Sequence, residues 1–150
     1  MQIIDQGIGN KMIEFVVPCV PVAKPRPRAS QAGGFTRIYT PTGGAIGQFI
    51  ASVRLAATDA YTGPPLQDPL RVDCEFVFPR PKGKIWKTKP MPREWKASKP
   101  DRDNLDKAVL DALNGLIWRD DSQVVDGRIT KQIAAGDEQP HVKIWIRSVS

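Results

Sequence analysis

Residues 100–126, PDRDNLDKAVLDALNGLIWRDDSQVVD, hold seven aspartates, no glutamate and only three basic residues, Arg102, Lys107 and Arg119. The whole 150-residue chain carries a net charge of +6, so the acids are concentrated against the trend of the rest. Aspartate at a helix start favours the helix dipole by ~0.3–1 kcal/mol, which accounts for one or two of the seven but not for Asp120 and Asp121. A calcium loop of the EF-hand kind is excluded: DRDNLD is followed by Lys107 rather than a glycine, and Ala112 stands where the closing glutamate would be. The third reading is a magnesium site. Mg²⁺ takes a few hard oxygen ligands and keeps several waters, and the short aspartate side chain holds an oxygen more firmly than glutamate does. Asp-x-Asp at a helix start and Asp-Asp after the helix bring three carboxylates together if the chain folds back on itself. Lys107 lies one turn beyond Asp103, on the same face. Two uses of it stand open: a surface salt bridge worth a few tenths of a kcal/mol, or a charge facing a phosphate.

The elements that must position these groups are legible in the periodicity. Asp101 or Asp103 is the expected N-cap of a helix, with Pro100 just before it. Leu105, Val109, Ala112 and Leu113 form its buried stripe, and Asn114-Gly115 ends it. Residues 12–22 read as a first strand broken by Pro18 and Pro21. Residues 45–61 place Ile46, Phe49, Ile50, Val53, Leu55 and Ala57 in a helical pattern. In residues 69–79, Leu70, Val72, Cys74, Phe76 and Phe78 alternate with Arg71, Asp73 and Glu75, the pattern of a half-buried strand. Residues 123–132 and 141–149 read as two further strands, antiparallel neighbours across AAGDEQP. The order β-α-β-α-β-β predicts a single compact α+β domain over residues 1–150, with one mixed sheet, two main helices and two long basic loops.

Those loops hold twelve of the twenty-two basic residues: four in residues 24–37 and eight in residues 80–99, against one acid, Glu94. Basic, Pro- and Gly-rich segments flanking an acidic centre suit a nucleic-acid clamp better than ordinary solvated loops. Lys24, Arg26, Arg28, Arg37, Lys82, Lys84, Lys87 and Lys89 are the expected phosphate contacts, giving affinity with little sequence information. Trp86 and Trp95 either stack on bases unpaired at a branch point or pack the loop. Cys19 and Cys74 lack C-x-x-C spacing and read as reduced core thiols, and His141, the lone histidine, reads as structural. No apolar run is long enough to cross a membrane and no secretory leader is visible, which points to a cytoplasmic protein. Acids and basic loops together favour metal-assisted phosphodiester chemistry.

The motif has a specific likeness. KPDRDNLDKAVLDALNGLIWRDDSQVVDGRITK resembles the signature of RusA-type Holliday junction resolvases, at Asp101, Asp103, Asn104, Lys107, Asp111, Leu113, Asp120, Asp121, Val124 and Lys131. KPRPRASQAGGFTRIYTP resembles the family's Arg-Pro-Arg segment preceding Tyr-Thr-Pro. The resemblance implies a homodimer, found in bacteria, phages or prophages, that binds four-way DNA junctions and nicks two opposed strands in recombination and repair, using Mg²⁺ or Mn²⁺. It implies Asp101, Asp103 and Asp121 as catalytic acids and metal ligands, and Lys107 as the catalytic lysine. Asn104, Asp111 and Asp120 are the expected supporting groups behind them. The rival readings are a basic phage DNA-binding or packaging protein without catalysis, and a metal nuclease for flaps or other branched nucleic acid.

Overall fold

The computed structural model describes residues 12–25, 28–30, 34, 37–39 and 44–149, with the backbone alone for 28–30 and 37–39. Ten named elements follow in order: β1 (Met12–Val17), β2 (Arg28–Ser30), β3 (Arg37–Tyr39), α1 (Gly44–Ala60), β4 (Leu70–Phe78), β5 (Glu94–Trp95), α2 (Arg102–Leu113), β6 (Val124–Asp126), β7 (Ile129–Ile133) and β8 (His141–Ser148). Six strands form one mixed sheet in the order β1-β8-β4-β7-β5, with β6 also on β4. The expected α+β domain with a mixed sheet and two main helices is what the chain adopts.

The alternation read in the middle of the chain builds the central strand. Leu70, Val72, Cys74, Phe76 and Phe78 of β4 turn inward with Ile13, Phe15 and Val17 of β1 and Val142, Ile144 and Ile146 of β8. Onto that face pack α1, through Ile46, Phe49, Val53 and Ala57, and α2, through Leu105, Ala108, Val109, Ala112 and Leu113. Leu55, expected in the α1 pattern, is 73% exposed: it lies two positions past Val53, on the far side of the helix. The outward face of β4 carries Arg71, Asp73 and Glu75, and Arg71 pairs with Asp73 at 3.0 Å.

Two expectations are corrected. The last two strands are not neighbours: β8 lies antiparallel on one side of β4, and β7 lies parallel on the other. The AAGDEQP link crosses the end of β4, where the Ala134 N–H donates to the Phe78 carbonyl at 2.8 Å. Residues 123–132 are not one strand either. The break falls at Gly127, whose φ is 155° and where an added Cβ would stand 1.9 Å from the Val72 carbonyl oxygen. Only glycine lets the backbone approach β4 that closely. The two basic segments also contain structure: β2 pairs with β3 in the first, and β5 pairs with β7 in the second.

Candidate active site

The acidic segment begins at the sheet. Lys131 of β7 donates from Nζ to the carbonyls of Ser98 and Pro100, at 2.8 and 2.7 Å. Those carbonyls immediately precede Asp101, which is the N-cap residue of α2 by position, with φ −71° and ψ 143°. Its side chain makes no capping hydrogen bond. Asp103 is exposed in the first turn and Lys107 is exposed one turn later. Among the described residues no ion pair joins Lys107 to Asp103 or Asp111. Asp111 is taken by Lys24, at 2.6 Å.

After α2 the chain doubles back. Gly115, at φ 78°, takes the left-handed turn, and its N–H donates to the Trp118 carbonyl at 2.7 Å. Trp118 is fully buried, and its indole N–H donates to Oδ1 of Asp121 at 2.8 Å. The adjacent aspartates therefore have different work. Asp120 caps the one-turn helix Asp121–Gln123, accepting from the Ser122 N–H and hydroxyl, and Gln123 completes the capping box. The Ser122 bonds hold the Asp120 carboxyl below its ordinary value. Burial pushes the Asp121 carboxyl up; the indole bond opposes this, the charges of Asp111 and Asp120 add to it, and Lys24 opposes it.

Asp106, given no role from the sequence, is half-buried and hydrogen-bonds to no described residue. Burial raises its carboxyl first and the charge of Asp121 second, against Arg102. It lines a cleft of about 340 Å³ with Val72, Val124, Asp126 and Gly127. Asp121 thus comes back within electrostatic reach of the middle of α2, while Asp101 and Asp103 sit at the helix start. Among the described residues no group of three His, Cys, Asp or Glu side chains is placed to hold one ion. Mg²⁺ does not need such a group. That ion is usually held by one or two carboxylates plus waters and substrate phosphate oxygens, not by a complete protein cage.

The basic residues divide as well. Lys24, expected on DNA, is committed to α2: its N–H donates to the Asn104 carbonyl at 2.9 Å and its ammonium to Asp111. Lys84 pairs with Glu94 at 2.7 Å. Arg80, its side chain only 4% exposed, donates to Glu94 and to the carbonyls of Lys84, Pro92 and Ala134. Arg93 ties Glu138, Glu75 and Gln132 together. Lys82, Lys87, Lys89 and Lys99 remain exposed. Arg26 lies outside the described residues, and of Arg28 and Arg37 only the strand backbone is described. Trp86 is flanked by two cations, Arg80 at 5.1 Å and Lys89 at 5.5 Å from its ring centre, whereas Trp95 on β5 is 66% exposed. Burial raises both thiols, Cys19 to about 11, so they are protonated and unreactive at neutral pH.

Sequence reading missed Lys24 as a partner of Asp111, the grip of Lys131 on the α2 turn, and Trp118. Only the bulk of Trp118 beside Asp-Asp offered a local signal.

Residues 18–147 match the family described as endodeoxyribonuclease RusA. The uncharacterized protein YqaN of Bacillus subtilis (strain 168) is 36% identical over 143 residues, covering 92% of this chain and 97% of that protein. No helix among the described residues is long and apolar enough to cross a membrane. Since the match runs from the end of β1 into β8, through every element that carries the acids, the chain belongs to the RusA family of endodeoxyribonucleases.

Proposed function

We propose that this chain resolves four-way DNA junctions by paired symmetric nicks, as a two-fold homodimer that uses Mg²⁺ or, in its place, Mn²⁺. The observation that carries the reading is the state of Lys107. It stands exposed one turn from Asp103, while its candidate helix partner Asp111 is held by Lys24. An ammonium beside carboxylates that is in no ion pair among the described residues suits a phosphate that gains negative charge in the transition state. Asp101 and Asp103 at the helix start and Asp121 on the returning turn would supply one or two of the metal's ligands, with waters and phosphate oxygens as the rest. When bound, the metal neutralises the scissile phosphate and makes a water more acidic. Asp121 is oriented for this by the indole of Trp118, which occupies one of its oxygens. Lys24 balances the charge of Asp111 behind it, and Asp120 keeps the turn in shape. A two-fold dimer presents two identical sites to the two equivalent strands of a junction.

The test is a gel assay on a synthetic four-way junction, the matched duplex and a flap, each with Mg²⁺ or EDTA. Cutting of the junction alone, in two symmetric strands and only with metal, is expected. Preference for the flap would move the substrate to other branched DNA, and metal-independent binding without cutting would favour the non-catalytic reading. Asp101→Asn, Asp103→Asn and Asp121→Asn should each abolish cutting and keep junction affinity. A monomeric mass by light scattering, with activity linear in monomer, would remove the dimer.

A further inference from the structure

We propose that Lys131 is a positioning residue: it fixes the start of α2, and with it Asp101 and Asp103, to the sheet. The inference rests on the reading that those aspartates do the chemistry. Lys131 lies opposite Phe76 in the parallel pairing of β7 with β4, so its side chain leaves the sheet on the helix-covered face. Its own carbonyl accepts from the Lys96 N–H at 3.0 Å, which holds the backbone of this residue against the loop that leads to α2. Its ammonium then spans 31 residues of sequence to the Pro100 carbonyl and 33 to that of Ser98.

Both acceptors are neutral, and no ion pair with an acid joins Lys131 among the described residues. Its charge is spent on two carbonyls that flank Lys99 and end one residue before Asp101. That grip is a side-chain tie between the sheet and the entry of α2. The apolar stripe from Leu105 onward, the Lys24 N–H on the Asn104 carbonyl and the Lys24 ammonium on Asp111 hold the rest of the helix, past the two acids. Without it, Asp101 and Asp103 would keep their helix but lose their register with the rest of the site. Misplacement of a reacting group by about 1 Å can lower a rate ~10²-fold.

Two chemistries predict different rescue. A tie to two carbonyls needs only two suitably directed N–H donors, which a guanidinium also supplies. A group that meets the reacting phosphate as a compact ammonium would not be replaced by arginine.

The experiment compares wild type, Lys131→Met and Lys131→Arg as full chains. It measures junction affinity in EDTA, single-turnover cutting at saturating junction with Mg²⁺, and, in the free protein without metal, amide hydrogen exchange at Leu105, whose N–H closes the first turn of α2 on the Asp101 carbonyl. Lys131→Met should bind junction within about twofold of wild type and cut it ~100-fold more slowly, with faster exchange at the start of α2. Lys131→Arg should recover cutting to within about tenfold of wild type and restore slow exchange. Wild-type cutting and exchange in Lys131→Met would overturn the proposal. So would a parallel loss of affinity, which makes Lys131 a DNA contact, and so would loss of cutting in both variants with exchange unchanged, which makes it a group that meets substrate. If Lys131→Met does not fold, slow exchange and near-normal cutting in Lys131→Arg support the proposal, and fast exchange in that variant overturns it. If wild type cuts no junction, the functional reading fails, and the exchange arm still decides whether Lys131 fixes the helix start.

Discussion

Of the two neighbours that would make Lys107 an ordinary helix-surface ion pair, Asp111 is held by Lys24 at 2.6 Å, and among the described residues no ion pair joins Lys107 to Asp103. As a surface partner, Lys107→Ala would lose only a few tenths of a kcal/mol of stability and leave cutting unchanged. We expect instead that Lys107→Ala and Lys107→Arg both fold and bind junction, and that both cut it at least ~100-fold more slowly in single turnover. Arginine keeps the charge, but its planar fork does not replace a compact ammonium. Near-normal cutting by Lys107→Ala would return the residue to the helix surface. Asp106 makes a different prediction. Burial first, and then the charge of Asp121, raise its carboxyl above the ordinary 3.8. As pH falls, the folded chain therefore takes up this proton before the unfolded chain does. The stability linked to that proton is fully present below the unfolded value and is lost as pH rises through the folded one. Asp106→Asn in EDTA should raise Tm at pH 7, and the gain should fade as pH drops below 3.8. An unchanged or lower Tm at pH 7 would show that the ionised carboxylate is accommodated in its cleft.

At the scale of elements, residues 80–99 are a loop by composition yet an anchored one in space. Arg80 and Arg93 pull it onto the sheet through Glu94, Glu75 and Glu138, and Arg93 holds the Glu138 carboxyl down to about 2. The two tryptophans then part in role. Trp86 has Arg80 and Lys89 within 5.1 and 5.5 Å of its ring centre, contacts from within its own loop. Trp95 stands exposed on the short edge strand β5. Trp95→Ala should weaken junction binding by about 1–3 kcal/mol, the worth of one stacked base, with Tm unchanged. Trp86→Ala should lower Tm instead, with a smaller effect on affinity. Equal affinities for wild type and Trp95→Ala would take stacking off β5. From the sequence the two residues were equivalent, because each was an aromatic among basic and proline residues. What separates them is the pairing of Trp95 with Gln132 on β7 and the cations that close on Trp86.

For the whole molecule, the net charge of +6 predicts salt-dependent binding, with the exposed loop lysines as the expected contributors. Each neutralised phosphate adds about 0.9 to the slope of log affinity against log salt. Lys82, Lys87 and Lys89 are exposed, so replacing all three by alanine should shrink that slope by up to ~3. Lys84→Ala should change it less, because Glu94 already balances Lys84 in the free protein. A triple variant with the wild-type slope would move the DNA contact elsewhere, to the segment that holds β2 and β3.

Much was determined by the sequence alone. The alternation in β4, the stripe of α2 and its Asn-Gly end are local periodicities, and backbone geometry turns them into elements without help from distant residues. The Asp-x-Asp-Asn-x-x-Lys pattern likewise carried the family with it. Strand order was decided only by the tertiary structure: β7 and β8 are adjacent in sequence, yet β4 lies between them and offers each an edge. Tertiary structure alone also divided the charges. That Lys24 pairs with Asp111, that Asp120 caps a turn while Asp121 takes the Trp118 indole, and where Lys131 reaches all depend on contacts with no sequence period. The Lys131–Pro100 bond spans 31 residues. Even the indole that orients Asp121 depends on the three-residue turn that folds Trp118 into the core.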